Sequence, residues 1–167
     1  IYLKGKGLLK EATSGHVHDM GKWVFALSFL WTYMFFSQFM LIWYADIPEE
    51  ITYFQARIND YPVIYWLIFF TNFAIPMLFL MDADAKKNRN LLILVGGIVF
   101  VFHWLDVFIM ISPGAMKAEA GVGLIEVGSF LLFLGVFTFI VLKSLASRPL
   151  LVKNHPYLEE GKAIHSH

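Results

Sequence analysis

The chain has 167 residues, of which 58% are apolar, 17% aromatic and 16% charged, whereas a water-soluble domain carries about a quarter charged residues. The 13 Lys and Arg balance 13 Asp and Glu, so there is no basic surface to hold a phosphate backbone, and nucleic-acid binding is set aside. With no cysteine, the chain itself holds no disulfide, iron–sulfur cluster, zinc-thiolate site or covalently attached c-type haem.

Residues 1–21 are polar and read as a cytoplasmic segment. The chain opens on Ile1 with no short apolar run ahead of a small-residue cleavage site, so it is expected to be a piece of a longer polypeptide. Crossing about 30 Å of hydrocarbon takes about 20 apolar residues in a helix. The first such stretch runs from about Trp23 to Ala45, after Gly21-Lys22. Pro48-Glu49-Glu50 then suits a helix start, because proline is tolerated in the first turn and acids favour the positive end of the dipole. Ile51, Phe54 and Ile58 fall on one face, predicting a short helix on the outer surface; an acidic loop that keeps that side negative is the alternative.

The second span runs from Pro62 to Met81, the third from Leu91 to Ser112 and the fourth from Val122 to Leu142. Residues 82–90 separate the second and third, and Pro113-Gly114 closes the third. Residues 144–167, with Pro149 and Pro156 and no apolar period, read as an extended cytoplasmic tail that needs a partner to be ordered. The expected fold is an all-α integral membrane protein, a four-helix transmembrane bundle with both termini cytoplasmic. Of the 13 Lys and Arg, all but Arg57 and Lys117 fall on the side shared by the tails and the second loop, which the positive-inside rule makes cytoplasmic. Trp43, Tyr44, Tyr61, Tyr65 and Trp66 then read as an aromatic belt at the outer interface, with Trp23 at the inner one.

Ionisable groups within spans usually face the protein interior and mark an ion, proton or ligand path. His103 and Asp106, three apart on the third span, share one helix face with Gly96, where a neighbouring helix is expected to approach. They can share a proton or form a static pair that fixes packing. Glu126 on the fourth span and Gln38 on the first fall, like them, in the outer half of the membrane. Glu126 also lies close enough to its span's end to reach the interface or stay protonated. Thr71 and Asn72 lie near mid-depth beside Pro76, which frees a backbone carbonyl, and read mainly as interhelical hydrogen-bond partners. Gly121, Gly128 and Gly135 form a small-residue seam every seven residues. His16, His18, His155, His165 and His167 sit in polar tails without a ligand set, so no metal site is expected there, and no residue of the chain is assigned a catalytic role.

The strings FSQFMLIWYADIPEEITYF (residues 36–54), DADAKKNRN (82–90), HWLDVFIMISP (103–113) and NHPYLEEGK (154–162) together resemble one family. It is that of the F subunits of bacterial alternative complex III, quinol:cytochrome c (or other electron-acceptor) oxidoreductases, within the NrfD-like or polysulfide-reductase-C-like proteins. The resemblance runs the whole length of this chain, in order, and corresponds to the C-terminal portion of longer family members. Asp46 departs from the Asn more readily expected before Ile-Pro-Glu-Glu.

The resemblance implies a multi-pass subunit of the bacterial inner membrane that supports the oxidation of menaquinol or ubiquinol without being the redox-active subunit alone. It implies partner subunits that carry c-type haems and iron–sulfur clusters, a second NrfD-like membrane subunit with which the quinol site is associated, and possible contact with a terminal oxidase. His103, Asp106, Gln38 and Glu126 are the positions expected on a proton path or near quinone. The alternative is a non-catalytic scaffold that docks the quinol-oxidising partner and the peripheral redox subunits. An independent transporter is disfavoured, because the spans show no internal repeat and no broken helix pair.

Overall fold

The computed structural model describes residues 2–9, 13–116, 121–147, 149, 150, 156 and 157. Among these the secondary structure is helical, in the order α1 (Tyr2–Gly5), α2 (Ser14–Ala45), α3 (Pro48–Asp60), α4 (Pro62–Leu80), α5 (Ala83–Lys87), α6 (Arg89–Met116) and α7 (Leu124–Ser147). Four of them, α2, α4, α6 and α7, are long and apolar enough to cross a membrane, the architecture of a multi-pass membrane protein. The chain divides into two compact units, residues 1–119 and 120–167. The predicted N-terminal segment is in part helical, and most of the predicted tail lies outside the described residues.

The helices outrun the apolar stretches that announce them. α2 has 32 residues, about 48 Å at 1.5 Å per residue, well beyond the hydrocarbon thickness. Its first turns carry polar residues, including an Asp19–Lys22 ion pair at 3.1 Å. The helix starts where it does because Thr13 donates its backbone N–H to Nδ1 of His16 at 3.3 Å, and its hydroxyl lies 2.9 Å from the same nitrogen. One orphan N–H of the first turn is thereby satisfied. His16, read from sequence as a residue of a polar tail, is thus part of a helix start. α6 likewise continues through Pro113, where the sequence predicted a stop, and ends at Met116. A proline that close to a helix end removes only one late backbone bond. Just before it, the Ser112 hydroxyl donates to the carbonyl of Phe108 at 2.7 Å.

In the first unit α4 packs against α6 and α2, with α5 against α2. Val17 of α2, Leu80 of α4, and Leu92 and Val95 of α6 form a buried cluster, with Val24, Phe25, Ile75, Leu91 and Val99 around it. Lipid is as apolar as these side chains, so burial from water does not drive helices together inside a bilayer; close packing and interhelical hydrogen bonds do. The close approach is at Gly21, where an added Cβ would stand 2.9 Å from Cβ of Lys86. Gly96, where a neighbour was expected, has nothing within 4 Å of such a Cβ.

α3 forms as its sequence predicts, with Pro48 in the first turn and Glu49 and Glu50 beside it. The turn before it needs Asp46 at φ 50 and ψ 39. Only glycine enters this left-handed region freely, and Asp and Asn are the side chains that tolerate it best, so Asp46 can stand where Asn was expected. The predicted aromatic belt is partly inside the protein. Trp43, Tyr44 and Trp66 are exposed, while Tyr61 and Tyr65 are buried.

In the second unit α7 buries none of its residues. A Cβ on Gly128 or Gly135 would meet nothing within 4 Å.

Candidate functional site

Asp106 sits in α6, 8% exposed, and each of its carboxylate oxygens has a donor from another helix. The indole N–H of Trp31 on α2 donates to Oδ2 at 3.0 Å. Nη2 of Arg57 on α3 lies 3.4 Å from Oδ1. Arg57 is 2% exposed, so this is an ion pair shielded on both sides. Such pairs persist where further hydrogen bonds and surrounding groups offset the loss of water.

Those further groups are largely aromatic. Nη1 of Arg57 lies 3.5 Å from the Tyr53 hydroxyl, which in turn donates to the carbonyl of Met110 at 3.5 Å. The guanidinium carbon stands 5.4 Å from the ring centroid of Tyr53, 5.7 Å from that of Phe54 and 5.6 Å from that of Tyr65. Each distance is within the range in which a ring face attracts a cation. Nε of Arg57 has no hydrogen-bond partner among the described residues.

Two clefts open in this region, the first beside the pair. The first, about 510 Å³, is lined by Trp31, Met34, Phe35 and Gln38 of α2, Arg57 of α3, and Asp106 and Met110 of α6. The second, about 520 Å³, is lined by Gln38, Leu41 and Ile42 of α2 with Glu49, Glu50 and Tyr53 of α3. Gln38 borders both. The first is a mostly apolar hollow with a carboxylate, a guanidinium and an amide on its wall, suited to an amphipathic guest with a polar head.

Of the four residues singled out from sequence, the structure brings Gln38 and Asp106 to one cleft. His103 lies close to the same group but is not the partner of Asp106: its Nδ1–H donates to the carbonyl of Val99, one turn back, at 3.0 Å. The His103 ring is tilted against Trp31 with centroids 5.8 Å apart, so Trp31 touches both His103 and Asp106. Glu126 belongs to the second unit, where its Oε2 accepts the backbone N–H of Gly123 at 2.8 Å and closes the first turn of α7. A carboxylate there satisfies an orphan donor and favours the helix dipole.

Thr71 and Asn72 are buried in α4. Among the described residues neither Oδ1 nor Nδ2 of Asn72, which is fully buried, has a hydrogen-bond partner, and the interhelical bond expected of it is not made there.

The site residue that sequence reasoning passed over is Arg57, counted only as one of two cations on the outer side. Trp31 went unremarked as well. A tryptophan away from the span's ends still needs a partner for its N–H when buried, and that was the available signal.

No family model matches the chain, and no curated protein matches it.

Proposed function

We propose that the chain is a membrane subunit of a respiratory quinol:electron-acceptor oxidoreductase of the alternative complex III type. In this reading it sits in the bacterial inner membrane with both termini cytoplasmic, supports quinol oxidation and handles protons at Asp106. The observation that carries the proposal is a shielded carboxylate on a membrane-length helix, bordering a cleft of about 510 Å³ that Gln38 shares. The resemblance of the Gln38 and His103–Asp106 strings to alternative complex III supplies the chemistry. Quinol oxidation releases protons, and moving them through hydrocarbon requires titratable or hydrogen-bonding groups. Asp106 takes up or yields a proton at a carboxylate oxygen. Gln38 and Tyr53 offer hydrogen-bonding groups beside it, and Glu49 and Glu50 line the neighbouring cleft. Electrons travel on c-type haems and iron–sulfur clusters of partner subunits, since this chain has no cysteine to hold either.

A second reading, a docking scaffold, is favoured by the closure of the Asp106 network. Both carboxylate oxygens already have donors, as a static pair that fixes helix packing would have.

Both readings place the chain in a large complex, and affinity purification from mildly solubilised source membranes tests this. The proposal predicts co-purifying haem c and iron–sulfur subunits, a second NrfD-like subunit and quinol-oxidising activity. Purification of the intact chain without haem and without that activity would refute it.

A further inference from the structure

Arg57 has fewer hydrogen bonds than a buried guanidinium usually commands. Its contacts to Asp106 and Tyr53 are long, at 3.4 and 3.5 Å, and among the described residues Nε has none. What surrounds the charge instead is three ring faces, Tyr53 and Phe54 from its own helix and Tyr65 from α4, all within 5.7 Å of the guanidinium carbon. Two of the rings are held from behind by α2. The Phe35 ring stands 5.6 Å from Tyr65, and the Phe39 ring meets Phe54 edge-on at 5.9 Å. The cage is therefore built by three helices and does not require Asp106.

The geometry points to a division of labour: the aromatic cage holds Arg57 and thereby docks α3, which leaves the Asp106 carboxylate free to gain and lose charge without releasing that helix. An ordinary buried ion pair lacks this property, because neutralising one member strands the other charge in a medium of low dielectric. Here the stranded cation keeps its ring faces, and cation–π attraction strengthens as water is excluded. The charged and titratable groups that face Asp106 are Arg57 and Tyr53 from α3 and Tyr65 from α4; from α2 it meets the neutral Trp31 N–H, and His103 lies on its own helix. The inference deepens the proposed proton role, since it explains how a carboxylate salt-bridged in the resting structure can still titrate.

Because the chain has no cysteine, a single thiol reports docking cleanly. Ala56→Cys places it at a half-buried position of α3. The full chain, in lipid nanodiscs open on both sides, is labelled with a water-soluble maleimide. Adding Asp106→Asn, the neutral isostere, should leave the labelling rate within about twofold of the parent, while Asp106→Asn combined with Tyr65→Leu should raise it about tenfold or more. Tyr65→Phe keeps the ring and should behave as the parent. Phe54→Leu removes a different wall of the cage and gives the same reading should Tyr65→Leu fail to accumulate. A large rise with Asp106→Asn alone would overturn the inference, and so would the absence of any rise in the variants that lose both the carboxylate and a ring. Labelling reads docking and not turnover, so its failure and that of the proton role are separate outcomes.

Discussion

The carboxylate of Asp106 and the guanidinium of Arg57 lie 3.4 Å apart although 49 residues separate them in the chain, and both are shielded from solvent. This contact ties α3 to α6. Truncating the two partners should have unequal effects. Arg57→Met removes the cation, leaves Asp106 with Trp31 alone and empties the cage, and should destabilise the protein by about 3 kcal/mol or more. Asp106→Asn keeps the cage filled and should cost about 1 kcal/mol. Chemical unfolding in mixed micelles measures both; equal losses would speak against the asymmetry.

Trp31 supplies the other donor to Asp106, at 3.0 Å, while its ring stacks on Phe35 with centroids 5.1 Å apart. Trp31→Phe retains much of that packing and deletes only the N–H. A hydrogen bond to a charged group contributes about 1.5–3 kcal/mol, so the melting temperature should fall by an amount equivalent to this. The loss should be smaller when Asp106→Asn is already present, and a double-mutant cycle reads the coupling.

Asn72 is the converse case. It is fully buried, and among the described residues both ends of its amide lack partners. Replacing a polar group that makes no bonds with an apolar one of similar volume removes a desolvation cost. Asn72→Leu should therefore leave the melting temperature unchanged or raise it. A clear drop would mean that the amide is satisfied by something it holds in the membrane, such as a buried water.

The glycines divide by surroundings. Gly21→Leu must displace Lys86 and should loosen the junction of α2 with α5, at a cost of about 1–3 kcal/mol. Gly128→Ala meets open space in α7 and should be neutral or stabilising by up to about 1 kcal/mol through helix propensity alone. Melting curves of the two variants check the pair, and the opposite order would contradict the packing described at Gly21.

The membrane-length helices were legible because each is a run of about 20 mostly apolar residues, and α3 because proline and two acids mark its start. The helix ends were not. Hydropathy marks where hydrocarbon begins, whereas the start of α2 is set by the Thr13–His16 contact and the end of α6 lies past a proline that removes only one late bond. At the site, the periodicity of α6 correctly put His103 and Asp106 on one face, but periodicity within a helix says nothing about partners on other helices. Arg57 entered the sequence reading only as a charge on the outer side, because a charge count says nothing about what a side chain touches. Its burial follows from the contacts that α3 makes with α6 and α4, and the Trp31–Asp106 bond spans 75 residues. Glu126 was legible as an intramembrane acid, yet its contact is the local one that closes its own helix.

The proton role proposed for Asp106 is tested most directly by the quinol oxidation rate, with proton release, of the purified complex carrying Asp106→Asn. Subunit composition and haem content must first match those of the parent. The account predicts a fall in turnover of about tenfold or more, on the scale that positioned proton-transfer groups contribute. Unchanged turnover and unchanged proton release in an intact complex would contradict it and leave this chain a scaffold.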